Sequence, residues 1–177
     1  PIDEEGTLKR TLESIRILAN HEFQLVILVS PTNDELTIRA KDKINKILSE
    51  VNLDIQTYVF TPYELDKIRH IALEKGINNE VMNLMNLKGY ANVRNMCIYT
   101  AYILGAEMAM LIDDDEIFEK ENFIDLASQF IGGRLYGKTI DGVAGYYLNK
   151  YGEYYDDVDI EPWMTYWDRF GFKGKAF

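Results

Sequence analysis

Sulfur and imidazole are scarce in this chain: Cys97 is the only cysteine, and His21 and His70 are the only histidines. A lone cysteine excludes a disulfide framework within the chain and favours a reducing compartment. Without a Cys/His cluster, zinc has no ligand set, so any metal would rest on carboxylates, which suits magnesium or manganese. Long apolar runs are missing as well, none approaching the ~18 residues of a membrane span. Positive charge is in the minority, 19 basic against 29 acidic residues for a net −10. That balance argues against a nucleic acid or an anionic membrane as the main partner. A small anionic ligand, met by a cation and a few local Lys or Arg, remains compatible with it. Internal repeats and low-complexity linkers are absent, and 177 residues suffice for one domain with a substantial core.

What is present is organised around Met108-Ala109-Met110-Leu111-Ile112, which runs directly into Asp113-Asp114-Asp115-Glu116. Five uninterrupted apolar residues predict a strand buried on both faces. Four carboxylates at its end cannot share that burial unless paired, protonated or bound to a cation. Ligands of open α/β sheets bind outside the carboxyl ends of the strands, whereas the plain alternative is an acidic loop capping the strand. Side chains alternate along a strand, so Asp113 and Asp115 share a side and Asp114 points away. Two carboxylates converging on one hard cation, with phosphate oxygens completing the shell, is how magnesium-type sites are assembled.

The other elements follow from hydrophobic period. Leu8, Leu12, Ile15 and Ala19 predict a first amphipathic helix, and residues 23–29 a buried strand ending in the turn Ser30-Pro31-Thr32-Asn33-Asp34. Leu36, Ala40, Ile44, Ile47 and Leu48 predict a second helix, and residues 53–60 a second strand. Thr61-Pro62-Tyr63-Glu64 has the form of a capping box with proline at the first helical position, and its helix ends near Gly76. Residues 77–88 fit either a short helix or a loop. A helix from Gly89 through Leu104 is expected to bury Val93, Cys97, Ala101 and Leu104, and another carries Phe123, Leu126, Ala127 and Phe130 up to Gly132-Gly133. Gly142 to Leu148 and Tyr154-Tyr155 flank a hairpin turn at Asn149-Lys150-Tyr151-Gly152. Strands alternating with helices of this length predict βαβ units and a three-layer α/β fold, a mostly parallel sheet flanked by helices.

At Gly89-Tyr90-Ala91-Asn92-Val93-Arg94-Asn95 a glycine permits a tight turn, a helix start presents free N–H groups, and Arg94 adds donors suited to phosphate. A solvated Arg94 and a plain Asn92 cap are the bland alternative. The ordered set Gly-x-Ala-x-x-Arg-Asn, helix, apolar strand and Asp-x-Asp resembles the middle of family 2 glycosyltransferases. Pro1-Ile2-Asp3-Glu4-Glu5, followed by Leu12-Glu13-Ser14-Ile15, is similar to their Pro-x-x-Asn-Glu-Glu opening and first helix. The likeness spans about residues 1–135.

The resemblance implies a single GT-A-type domain over residues 1–177, with a nucleotide-sugar-binding half at 1–118 and the start of an acceptor-side half at 119–177. It implies that the first strand would precede Pro1 and that a C-terminal portion lies beyond Phe177. The activity implied is transfer of a sugar from a nucleotide-diphosphate donor to a hydroxyl of a glycan, lipid or small molecule, with inversion and with Mg²⁺ or Mn²⁺. Donor binding falls to Pro1, Asp3, Glu5, Ser30, Arg94, Asp113 and Asp114, and the metal to Asp115 with Asp113. Ser30 stands where the family usually has a base-contacting aspartate. Base candidates for the acceptor are Asp156, Asp157, Asp159 and Glu161, just before Pro162-Trp163. Tyr151, Tyr154, Tyr155, Trp163, Tyr166 and Trp167 form an aromatic-rich stretch suited to sugar stacking, core packing or an interface. The expected location is cytoplasmic, with membrane association through parts outside the chain.

Two further classes fit parts of the sequence. Asp113-Asp114-Asp115-Glu116-Ile117 comes near the D-x-D-x-[T/V] signature of haloacid-dehalogenase-type phosphatases, with Asp113 as nucleophile. Ile117 departs from that signature, and no downstream lysine and Asp-Asp pair completes it. A non-catalytic α/β binding module with a solvated acidic turn is the other.

Overall fold

The computed structural model describes residues 2–145 of the chain. Two compact units divide at residues 124 and 125.

In the first unit, β1 (Leu25–Leu28) and β2 (Thr57–Phe60) form a parallel pair, with Leu25 opposite Thr57 and Leu28 opposite Phe60. A parallel pair cannot be closed by a tight turn and needs a crossover element. That element is α2 (Thr37–Val51), which follows a 3₁₀ turn begun by Asn33, whose side chain accepts from the Glu35 N–H. Asn52 ends α2 in the left-handed region at φ 49°, a conformation asparagine tolerates better than a branched residue. After β2, α3 (Pro62–Glu74) starts on the capping box expected from Thr61 and Glu64, with both reciprocal bonds formed. The ambiguous stretch resolves as the short helix α4 (Asn79–Leu84), and α5 (Tyr90–Ile103) begins at Gly89, whose φ of 80° favours glycine.

Successive β1 side chains point to opposite faces, and each face meets its own apolar cluster. Leu25 and Ile27 pack against Leu12, Ile15, Leu18, Ile47, Val51 and Phe118, contributed largely by α1 (Leu8–Ser14) and α2. Val26 and Leu28 pack against Leu65, Met82, Met85, Leu87 and Met96, from α3, α4, α5 and the adjoining loop. The chain is therefore a mixed α/β protein with a small parallel sheet flanked by helices. The wider sheet expected from the sequence is not formed among the described residues, where the parallel sheet has two strands.

The main correction concerns residues 108–112. They enter no strand ladder, and Met108, Met110 and Leu111 are 51, 41 and 36% exposed, while Ile112 alone reaches the first cluster. An apolar run states what a segment would gain by burial, but pairing needs a partner edge far away in sequence. No such partner is engaged here. The buried face of α5 is also rotated from expectation: Met96 and Thr100 are buried, and Leu104 is 38% exposed. Ile98 and Tyr102 lie on its solvent side, so the helix is apolar on more than one face and periodicity alone could not single out the inner one.

α6 (Phe123–Ser128) is shorter than its apolar pattern, and Phe123, Leu126 and Phe130 are all partly exposed. In the second unit, β3 (Arg134–Leu135) and β4 (Lys138–Thr139) form an antiparallel hairpin that sequence reading missed. Its two-residue turn uses Tyr136 and Gly137 at φ 49° and 78°, the positive pair that primed hairpin turns require. The expected hairpin at 142–155 lies largely outside the described residues, and residues 142–145 carry no strand. No helix among the described residues is long and apolar enough to cross a membrane.

Candidate functional site

The acidic run after Ile112 closes on itself as a turn. The Glu116 N–H donates to the Asp113 carbonyl at 3.2 Å, and the Asp113 N–H donates to Glu116 Oε2 at 2.7 Å. Glu116 therefore spends its carboxylate on the backbone of its own turn. Asp114 Oδ2 accepts from the Thr7 hydroxyl at 3.2 Å, so this carboxylate is directed to α1. Asp113 and Asp115 remain.

Asp113 is joined to Arg94, whose Nη2 lies 2.6 Å from Oδ1 and 2.8 Å from Oδ2. Arg94 sits one turn into α5, and its guanidinium lies over the Tyr90 ring at 5.1 Å from the centroid. Residues 90 and 94 share a helix face, so the ring supports the cation that reaches the acidic turn. The Tyr90 side chain raises the Arg94 pKa further, burial offsets part of this, and the Asp113 charge adds to it. Arg94 is a permanent cation in this setting. The pair is only partly covered, with side-chain exposures of 25% for Arg94 and 46% for Asp113. Cys97, one turn further along α5, has its thiol pushed up by burial, an effect that the Arg94 charge only partly offsets.

Asp115 is exposed, and among the described residues no donor reaches its carboxylate; its backbone carbonyl accepts from Arg10 at 3.1 Å. No group of three His, Cys, Asp or Glu side chains capable of holding a metal exists among the described residues. A fully protein-built cage is therefore not offered. Because residues 113–116 form a turn and not a strand end, the alternation expected to put Asp113 and Asp115 on one side does not apply: Asp113 is held by Arg94 and Asp115 is exposed.

A face of α1 that sequence reading did not single out carries the turn. Thr11 Oγ1 donates to the Asp114 carbonyl at 2.7 Å, and the Phe118 N–H donates to Ser14 Oγ at 3.0 Å. Residues 7, 11 and 14 fall on one side of a helix, and the buried hydroxyl inside an otherwise apolar stripe was the available signal.

The remaining predicted donor residues are scattered in their contacts. Asp3 pairs with Arg39 at 2.5 Å on an exposed surface, Glu5 is exposed, and Pro1 lies outside the described residues. Chain continuity from residue 6 to Thr7 carries this opening loop to the acidic turn. Ser30 donates its hydroxyl to the Leu87 carbonyl at 2.6 Å, and Asp34 pairs with Lys88 at 3.1 Å. Those two contacts fasten the end of β1 to the loop that starts α5, and so bear indirectly on Arg94. Asp156, Asp157, Asp159, Glu161 and the aromatic stretch lie outside the described residues. Comparison with protein-family models, curated proteins and solved structures finds no match to this chain.

Proposed function

We propose that this chain is the donor-binding part of a metal-dependent glycosyltransferase of GT-A type, which moves a sugar from a nucleotide-diphosphate donor to an acceptor hydroxyl. The observation that supports it most is the Arg94–Asp113 ion pair. It joins the Gly-x-Ala-x-x-Arg-Asn helix start to the Asp-x-Asp turn, two segments that sequence alone could only place in order. A βαβ unit with helices against both faces of its strands is the second support.

In this reading Arg94 supplies a fork of charge-assisted donors to the donor phosphates, with Tyr90 bracing its stem and charge. Asp115, with Asp113, would hold Mg²⁺ or Mn²⁺, which neutralises the diphosphate leaving group. Asp114 and Glu116 keep the turn in shape, through Thr7 and through the Asp113 N–H. The opening loop at Asp3 and Glu5 and the end of β1 at Ser30 border the nucleoside. Attack by the acceptor would be assisted by a carboxylate among Asp157, Asp159 and Glu161.

The test is a thermal-shift panel with ADP, GDP, CDP and UDP, each with and without Mn²⁺. A ligand at 100 times its Kd stabilises by about 2.7 kcal/mol, a rise of roughly 5–10 °C for a chain of this size. A shift that needs both diphosphate and metal supports the proposal, and no shift with any pair sinks it.

A further inference from the structure

The turn between β3 and β4 breaks a local rule with no return in packing. Tyr136 stands at φ 49°, at the first position of a primed turn, where asparagine, aspartate or glycine is usual and a bulky side chain costs energy. Its ring gains almost no contact in exchange, since Tyr136 is 95% exposed and Leu135 beside it 57%. Ladder bonds fix this placement: the Gly132 N–H donates to the Ile140 carbonyl and the Ile140 N–H to the Gly133 carbonyl, both at 2.9 Å. A disfavoured backbone position that presents a large side chain to solvent points to a binding feature and not to a packing one.

Positive charge collects at the same tip. In a chain of net −10, residues 126–140 hold Arg134 and Lys138 and no carboxylate, with Asp125 and Asp141 bracketing the stretch. Arg134 Nη2 donates to the Gly137 carbonyl at 3.3 Å, which carries the guanidinium to the turn. Lys138 lies opposite Leu135 across the hairpin, so a cation and an apolar side chain share one face. Neither cation has a carboxylate partner among the described residues.

We infer that the β3–β4 hairpin is a contact site for an anionic lipid surface: Tyr136 and Leu135 enter the headgroup region, and Arg134 and Lys138 engage the lipid phosphates. The inference is independent of the proposed transferase activity. Tyrosine suits that depth because its ring is apolar and its hydroxyl polar, and arginine and lysine stems reach the same level. Two cations are too few for a nucleic acid, whose affinity comes from neutralising many phosphates, and an aliphatic tip adds nothing there. The net charge opposes attachment of the chain as a whole, but at physiological salt fields decay within about 8 Å, so the local cluster decides. With so few groups the contact is weak and reversible, as single membrane signals are.

The experiment floats the full chain with vesicles of phosphatidylcholine alone or with about 40% phosphatidylglycerol, at about 0.15 M salt. Binding should require the anionic lipid. Lys138→Gln should lose about 5-fold in partition. Tyr136→Asn puts a residue usual for the turn in its place, so it should melt no lower than the wild type yet bind roughly 5- to 10-fold more weakly. Lys67→Gln, an exposed cation on α3, makes the same change in net charge and should bind as the wild type does. A wild type that floats with neither vesicle, or equally with both, overturns the inference. So do Tyr136→Asn and Lys138→Gln variants that float as Lys67→Gln does. A wild type that ignores vesicles and retards polyuridylate in a gel overturns it in favour of RNA.

Discussion

Replacing Arg94 with glutamine separates the two things this residue does. Its pair with Asp113 has Nη2 at 2.6 and 2.8 Å from the carboxylate oxygens, which puts the charge centres about 4 Å apart, worth roughly 4 kcal/mol before desolvation at an effective dielectric near 20. The side chains are 25% and 46% exposed, so solvent screens much of that, and Asp113 can rehydrate once its partner is gone. The net contribution to folding is therefore about 1 kcal/mol, a fall in Tm of roughly 2–4 °C. Phosphate binding is a different matter, because a fork of charge-assisted bonds to an anion is worth about 1.5–3 kcal/mol. Arg94→Gln should thus weaken nucleoside diphosphate binding in the presence of Mn²⁺ by roughly 10- to 100-fold, well beyond its effect on stability. Mn²⁺ alone should bind at least as well as before, since Asp113 has lost its competing cation. Titration calorimetry with paired thermal melts reads all three quantities. Unchanged diphosphate affinity, or weaker Mn²⁺ binding in the variant, would refute the reasoning.

Two other outcomes test the scaffold. Burial pushes the Glu64 carboxyl up, but hydrogen bonds from Thr61 and Lys41, with backbone N–H groups, bring it from 4.5 down to about 2. A depressed carboxylate stabilises above its unfolded pKa, so urea denaturation should show stability fully present above about pH 4.5 and lost as pH falls toward 2, by about 1–2 kcal/mol after solvent screening. Glu64→Gln should flatten that window; an unaltered acid limb contradicts the assignment. Leu12, 1% exposed in the cluster beneath β1, should cost about 2–5 kcal/mol on change to alanine, read as a lower denaturation midpoint with an unchanged slope.

The parts of this molecule that were legible in its sequence are those with local causes. The Thr61 capping box, the proline after it, and the apolar stripe of α2 are each decided within a few residues of chain and formed where expected, whereas α1 ends at Ser14 and leaves Ala19 exposed beyond it. Met108 to Ile112 failed as a strand because pairing depends on a distant edge, which no local pattern encodes. The face of α5 was misjudged for a related reason, since Ile98 and Tyr102 make its outer side as apolar as its inner one. In the candidate site, motif order singled out Asp113, Asp115 and Arg94, and the structure brings Arg94 and Asp113 together. Motif order did not reveal that Glu116 folds back on Asp113, nor that Thr7, Thr11 and Ser14 reach across more than a hundred residues to hold the turn. Serine and threonine on a helix look alike whether they face solvent, their own backbone or a remote loop.

The central claim is that Asp115, beside the Arg94–Asp113 pair, holds a divalent cation on a bound diphosphate. Calorimetric titration of the wild type and Asp115→Ala with ADP, GDP, CDP and UDP, with and without Mn²⁺, tests it most directly. Asp115 is exposed, so the substitution should leave Tm within a degree or two, as surface changes usually do. The account predicts that at least one diphosphate binds the wild type only with Mn²⁺, and that Asp115→Ala loses the metal-dependent part. Binding that ignores both Mn²⁺ and Asp115, or no binding at all, would contradict it.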